Sequence, residues 1–124
     1  MSEDYRDKGT NAIRTLFCLG VRPDFFAAGA EERTAVITTI KEAFADLSGR
    51  FGVTVLGTMD DDEFMVGPSD TFPWTAYILA DVPSYEQVVA ICGIIRDTAV
   101  GDAQLWKYLK IEARAGRRLF FGNE

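Results

Sequence analysis

Four strand-like stretches and two stretches of helical periodicity follow one another along this chain in the order strand, helix, strand, strand, helix, strand. That order restricts the available folds more than any other feature. Residues 12–22 (AIRTLFCLGVR) are rich in β-branched and aromatic side chains and stop at Pro23, which reads as a strand. The segment 23–29 is a connection, and a helix is predicted over 30–47. Val36, Ile40, Ala43, Phe44 and Leu47 fall at i, i+4, i+7, i+8 and i+11, one apolar stripe. Glu31 and Glu32 suit the positive end of that helix, and Gly49 closes it. A second strand spans 53–59. The stretch 60–73 opens with four acids and carries Gly67, Pro68 and Pro73, so it cannot be a continuous central strand; 63–66 is at most a short extension. Residues 74–82 (WTAYILADV) form the third and most apolar strand. Pro83 and Ser84 open the second helix, with Ser84 and Gln87 at capping-box spacing and Tyr85, Val88, Val89, Cys92 and Ile95 as its inward stripe. Gly93 costs about 1 kcal/mol relative to Ala inside a helix, which points to a close packing contact there. Gly101 is a stop, 103–113 is the fourth strand, and a tail with Leu119, Phe120 and Phe121 follows.

Right-handed crossovers in both β-α-β halves put strands 1 and 3 at the centre, giving the sheet order 4-1-3-2. The fold class is therefore α+β: a ferredoxin-like βαββαβ domain, a four-stranded antiparallel sheet with two helices on one face. With 124 residues the chain has room for one core, taken as residues 10–124 after a polar, flexible N-terminal arm at 1–9. The sheet face away from the helices should alternate in polar residues if water covers it, and the strands do not show this. Thr15, Phe17, Leu19 and Val21 share one parity of strand 1, and Leu16, Cys18 and Gly20 the other. In strand 3, Trp74, Ala76, Ile78 and Ala80 alternate with Thr75, Tyr77 and Leu79. Strand 4 sets Leu109, Ile111 and Ala113 against Trp106, Tyr108, Lys110 and Glu112. The smaller set, Cys18, Gly20, Ala76, Ala80 and Ala113, suits close helix packing. The bulky set, with Phe17, Tyr77 and Trp106, is then left on the bare face, and a second copy of the chain is expected to cover it as a homodimer.

Charge and composition exclude several functions. A net charge of −6 opposes nucleic-acid binding. Lys107, Lys110, Arg114, Arg117 and Arg118 nevertheless make the last strand and tail locally basic, either as a solvated face or as a site for an anionic ligand or acidic partner. No apolar run is long enough to span a membrane, and the N-terminus lacks a secretory apolar stretch. Cys18 and Cys92 sit in apolar patterns away from any C-x-x-C spacing; they read as buried reduced thiols, consistent with a cytoplasmic protein. There is no histidine, so His-based triads, His-metal sites and imidazole bases are excluded. P-loop, Rossmann, RNP and nucleophile-elbow patterns are missing too, and no cofactor is expected.

The element order over 12–114, with an aromatic and semi-polar bare face, resembles the dimeric α/β-barrel superfamily. That superfamily includes antibiotic-biosynthesis-type monooxygenases, muconolactone isomerase-like proteins and other small enzymes of aromatic breakdown. Two stretches, VLGTMDDD at 55–62 and WTAYILAD at 74–81, are similar to IacB-type proteins associated with indole-3-acetate catabolism. The resemblance implies a homodimer with a chamber for a planar aromatic, possibly carboxylated, small molecule. The acid–base histidines of several barrel families have no counterpart in this chain, so their mechanisms do not carry over.

Several residues then stand as candidates, each with an alternative. Asp60, Asp61, Asp62 and Glu63 lack EF-hand spacing; they form a solvated hairpin tip, a cation site or acids over a pocket mouth, and no metal is assigned. Trp74, Tyr77, Trp106 and Tyr108 suit the walls of an aromatic-binding chamber, or plain interface and core packing. Lys110 and Glu112 share the face of Trp106 and Tyr108 by alternation, where they orient a carboxylate, move a proton, or pair at the rim. Tyr77 is a phenol placed to relay a proton or a satisfied structural tyrosine. Arg14 and Arg22 end strand 1, on the surface or as clamps for an anion. Three functions remain open: cofactor-free proton transfer, isomerisation or oxygenation of an aromatic compound; a regulatory ligand-binding module like the ACT-type domains; and a purely structural homodimer.

Overall fold

The computed structural model describes residues 12–68 and 74–122. The 1–9 arm, Ser69 and Pro73 lie outside them. The long central strand β1 (Ile13–Val21) is antiparallel to β3 (Ala76–Val82) on one side and to β6 (Leu109–Gly116) on the other. The strand β2 (Thr54–Asp60) joins β3 and completes the sheet in the order β2-β3-β1-β6. With β6 as the fourth strand, this is the expected ferredoxin-like order, and the helices lie on one face.

That helix face is the odd parity of β1. Ile13, Thr15, Phe17 and Leu19 are buried. Phe17 stands between Ile78 of β3 and Ala113 of β6 and packs in one cluster with Val36, Ile91 and Leu105. The expectation that Phe17 faces outward while Cys18 and Gly20 meet the helices is reversed. Arg14 shares the parity of Leu16 and Cys18, and an arginine cannot enter a core without a large desolvation cost; the bulky side chains fill the space beneath the helices instead. The parities expected of Ala76, Ala80 and Ala113 hold.

The helices are shorter than the periodicity predicts. A one-turn helix, α1 (Pro23–Ala27), occupies the expected connection, with Pro23 at its first position. The next helix, α2 (Ala30–Ala43), ends a turn early. Asp46 turns into the left-handed region at φ 50°, and its carboxylate accepts from the Gly49 amide at 3.1 Å, capping a separate short helix, α3 (Leu47–Phe51). The Arg50 guanidinium donates to the carbonyls of Ala43 and Ala45 at 2.6 and 2.8 Å, satisfying the frayed end of α2. Ser84 caps α4 (Tyr85–Cys92) as expected, accepting from the Gln87 amide at 3.3 Å. Gly93 interrupts the helix, and α5 (Ile94–Asp97) continues for one turn. No neighbouring element crowds Gly93: its surroundings are the Ala90 and Val89 carbonyls and the Asp97 side chain.

The predicted fourth strand is broken. A small hairpin, β4 (Ala99–Val100) and β5 (Ala103–Gln104), turns at Gly101 with the positive φ such a corner demands. A 3₁₀ turn over Leu105–Lys107 then buries Leu105 completely and turns Trp106 outward to 52% exposure. The turn resets the alternation, so the Tyr108 ring enters the core instead of joining the face of Lys110 and Glu112.

Phe17→Ala is expected to cost about 3–5 kcal/mol, as deletion of a large buried aromatic does, and Leu16→Ala, half-exposed on the other face, less than half of that. Urea unfolding of the two variants measures the difference; equal effects would place the core on the wrong side of β1.

Candidate functional site

The bare face is built in ranks, because residues directly opposite across paired strands project to the same side. One rank holds Thr54, Asp81, Arg14 and Gly116; the next Gly57, Leu79, Leu16 and Arg114; the third Met59, Tyr77, Cys18 and Glu112. Charges occupy the β6 side and one end, and apolar groups occupy the half made by β2, β3 and β1. The face is therefore mixed, not aromatic throughout.

In the apolar half the structure leaves a trough of about 430 Å³, lined by Leu16, Gly57, Thr58, Met59, Tyr77 and Leu79. Two local features of β2 open it. The register shifts between Val55 and Gly57, a bulge that takes Leu56 out of the pairing. Gly57 then contributes no side chain, and a Cβ built there would meet nothing within 4 Å.

Tyr77 and the charged groups around the trough are already engaged. The Tyr77 hydroxyl lies 3.2 Å from Asp61 Oδ2 and 3.4 Å from the Trp74 carbonyl, and Asp61 is anchored through its amide on the Thr75 carbonyl at 2.9 Å. Burial, then the hydrogen bond and negative charge of Asp61, push the Tyr77 phenol above its ordinary value of 10.0. Tyr77 is therefore a proton-bearing donor at neutral pH. Cys18, beside it, is also raised, by burial that outweighs the opposing charge of Arg114, and so keeps its thiol proton. Arg14 grips Asp81 through Nε at 2.7 Å and Nη2 at 3.4 Å. Glu112 is held by Arg114 at 2.8 and 3.0 Å.

The remaining candidates lie elsewhere. Lys110 Nζ sits 5.3 Å from the Trp74 ring centroid, a cation–π pair at the Gly20 end of the sheet. Trp106 and Lys110 share a second recess of about 520 Å³ with Arg22, Arg96 and Ile95, at the edge of β6. Tyr108, placed by its ring in the core, donates to Glu32 of α2 at 2.5 Å, and that bond, with burial, raises its pKa. Phe17 and Tyr108 are thus not walls of the trough. Tyr77 is at the trough and Glu112 and Arg14 are on its face, while Trp74, Trp106 and Lys110 form a separate group. Sequence reasoning missed Asp61 as the partner of Tyr77, and Leu16, Gly57 and Met59 as lining. The glycine inside an apolar strand segment was the available signal. Among the described residues no three Cys, Asp or Glu side chains converge to hold a metal ion, and no helix is long and apolar enough to cross a membrane.

Among solved structures, the chain is similar to a protein of unknown function from Rhodopseudomonas palustris, with 17% identity and a TM-score of 0.53 over 89% of this chain and 84% of that one. A methylated form of that protein aligns at 20% identity and a TM-score of 0.52, over 90% and 84%. A dimeric protein of unknown function and ferredoxin-like fold from Bacteroides fragilis gives 13% identity and a TM-score of 0.43 over 86% of this chain and 96% of its own. The first two share the fold of this chain. No protein-family model matches the chain, and no curated protein matches it.

The raised phenols make alkaline stability a direct test. Below the unfolded-state value near 10.0 their contribution is complete; above it the unfolded chain ionises first, and stability falls as pH rises toward the folded-state values. Urea midpoints measured from pH 8 to 11 are expected to decline, and Tyr77→Phe and Tyr108→Phe each to flatten the decline. A slope unchanged in both variants would assign the alkaline loss to other groups.

Proposed function

We propose that the protein binds a planar aromatic small molecule in the trough of the bare sheet face, and does so as a homodimer whose second copy roofs the site. The observation that carries this reading is the trough itself: an apolar slot between Leu16, Leu79 and Met59, with one phenol at its end aimed into an acid. A flat ring fills such a slot, and an acceptor atom on the ring competes for the Tyr77 proton. Arg14 and Arg114 on this face hold their own carboxylates, Asp81 and Glu112, and Lys110 stands over the Trp74 ring at the far end. A ligand carboxylate therefore has to displace one of those pairs, and a neutral ring is the better fit. The similarity of 55–62 and 74–81 to IacB-type proteins would place the molecule in indole or indole-3-acetate catabolism. These two segments contribute Gly57, Met59, Asp61, Tyr77 and Leu79, so the resemblance and the trough fall on the same residues.

Any chemistry in this reading is cofactor-free proton movement. Tyr77 offers the bound ring the hydrogen bond it otherwise gives Asp61, and Glu112, already paired with Arg114, tunes the face. The two reduced cysteines suit a cytoplasmic setting.

Titration with indole, indole-3-acetate and benzoate, followed by tryptophan fluorescence, tests the reading. Indole is expected to bind at least as tightly as either acid. Gly57→Leu, which fills open space without backbone strain, is expected to weaken indole binding more than tenfold while leaving the unfolding midpoint nearly unchanged. Tyr77→Phe should weaken binding of a ring bearing an acceptor by roughly 3- to 10-fold, the worth of one neutral hydrogen bond. Absence of any response to all three compounds would sink the proposal.

A further inference from the structure

The recess at the β6 edge differs in chemistry from the trough. Its floor is apolar, with Ile95 and Leu109 buried and Ile111 half-buried. Around that floor stand the side chains of Arg22, Arg96 and Lys110 and the indole of Trp106. Among the described residues that line it, none is acidic. In a chain of net charge −6 this gathering of positive charge is a local exception.

The backbone beneath each of these groups is fixed. Arg22 precedes Pro23, which favours its extended conformation at φ −87° and ψ 157°, and its amide donates to the Tyr108 carbonyl at 2.8 Å. Arg96 lies in the single turn of α5, and its carbonyl accepts from Gln104 Nε2 at 2.6 Å, tying the helix to β5. Trp106 sits on the 3₁₀ turn between Leu105, wholly buried, and Tyr108, whose ring is in the core, so the indole is held half in water. The charge balance also differs from that of the bare face. There each guanidinium holds a carboxylate, Arg14 with Asp81 and Arg114 with Glu112. Among the described residues, neither Arg22 nor Arg96 makes an ion pair. Lys110 is occupied, its ammonium standing over the Trp74 ring, and recognition here does not depend on it.

We propose that this recess binds a small aromatic phosphate monoester, its phosphate between Arg22 and Arg96 and its ring on Trp106. Two guanidinium groups without carboxylate partners supply two positive charges, and a phosphate monoester at neutral pH carries close to two negative ones. A monocarboxylate is satisfied by one planar fork and leaves the second arginine unmatched. A phosphate presents three terminal oxygens, enough to engage both forks. The esterified group is aromatic because a half-exposed indole above an apolar floor offers a flat face on which a ring stacks. The volume of about 520 Å³ lies in the range of small-molecule sites. This site is independent of the binding proposed for the trough, with which it shares no lining residue.

Calorimetric titration of the full chain with phenyl phosphate, phenol and inorganic phosphate tests the proposal. Phenyl phosphate is expected to bind, and phenol and inorganic phosphate each to bind roughly tenfold more weakly or less, since each keeps one half of the contacts. Arg22→Gln and Arg96→Gln should each weaken phenyl phosphate by about tenfold or more. Their urea midpoints should stay near native, because neither side chain belongs to the core. Trp106→Ala should weaken phenyl phosphate and leave inorganic phosphate unchanged, a split that general loss of structure would not produce. Gly57→Leu should bind phenyl phosphate at native strength, and saturating indole should not displace it. A native chain that takes up no phenyl phosphate, inorganic phosphate bound as tightly as the ester, or arginine variants that bind like native would each overturn the proposal. Displacement by indole, or loss of phenyl phosphate binding in Gly57→Leu, would overturn it as well. A chain that binds phenyl phosphate and no indole upholds this site and rejects only the trough reading.

Discussion

The alternation of side chains along β1 fixes the rest of the molecule. The strand pairs with β3 on one side and β6 on the other, and its odd residues supply the floor of the core while its even residues supply the floor of the bare face. A shift of one residue would carry Phe17 into water and Arg14 under the helices. Burying a large aromatic side chain contributes about 1.5–3 kcal/mol, whereas a partly exposed ion pair contributes up to about 1 kcal/mol. The register is thus set by Ile13, Phe17 and Leu19, and the Arg14–Asp81 pair follows from it. Once that parity is set, Tyr77, Cys18 and Leu16 can only lie on the face away from the helices.

The order of the sheet was legible because it depends on connection handedness and strand count, which periodicity and punctuation reveal. The parity of β1 was not read correctly, although the information was present. Judged by volume, Cys18 and Gly20 looked like the side that meets helices; judged by charge, Arg14 excludes it. Desolvating a guanidinium is the larger energy, so charge should have decided. The breaks were harder. Residues 103–113 contain no Gly or Pro, and nothing local marks the 3₁₀ turn that diverts Tyr108 into the core. It forms because the β4–β5 hairpin places Leu105 for complete burial, a tertiary gain that local pattern does not carry. Of the candidate site, Tyr77 and the acids of 60–63 were visible and their pairing was not, since the Asp61 contact depends on how the chain leaves β2.

The chemistry of the trough is quiet by construction. Its thiol and its phenol both hold their protons more firmly than in water, and the charges on its face are matched within the chain. A nucleophile needs the opposite, a group pushed toward its ionised form by a nearby cation or helix end. Cys18 does have Arg114 near it, yet burial and Glu112 act against that charge. These groups therefore suit hydrogen bonding better than covalent attack.

The trough also bears on the edge strand β2. An edge that exposes Val55, Leu56 and Met59 is an open template for unwanted pairing, and proteins ordinarily blunt such edges with charge, bulges or cover. Here the bulge at Val55–Gly57 and the acids that follow do the blunting. The same bulge opens the trough, and the same acids give the loop its sign. A straight, bulge-free β2 would pair more readily with any neighbour and would have no slot beside Tyr77. The feature that guards the edge is thus also the one that opens the trough.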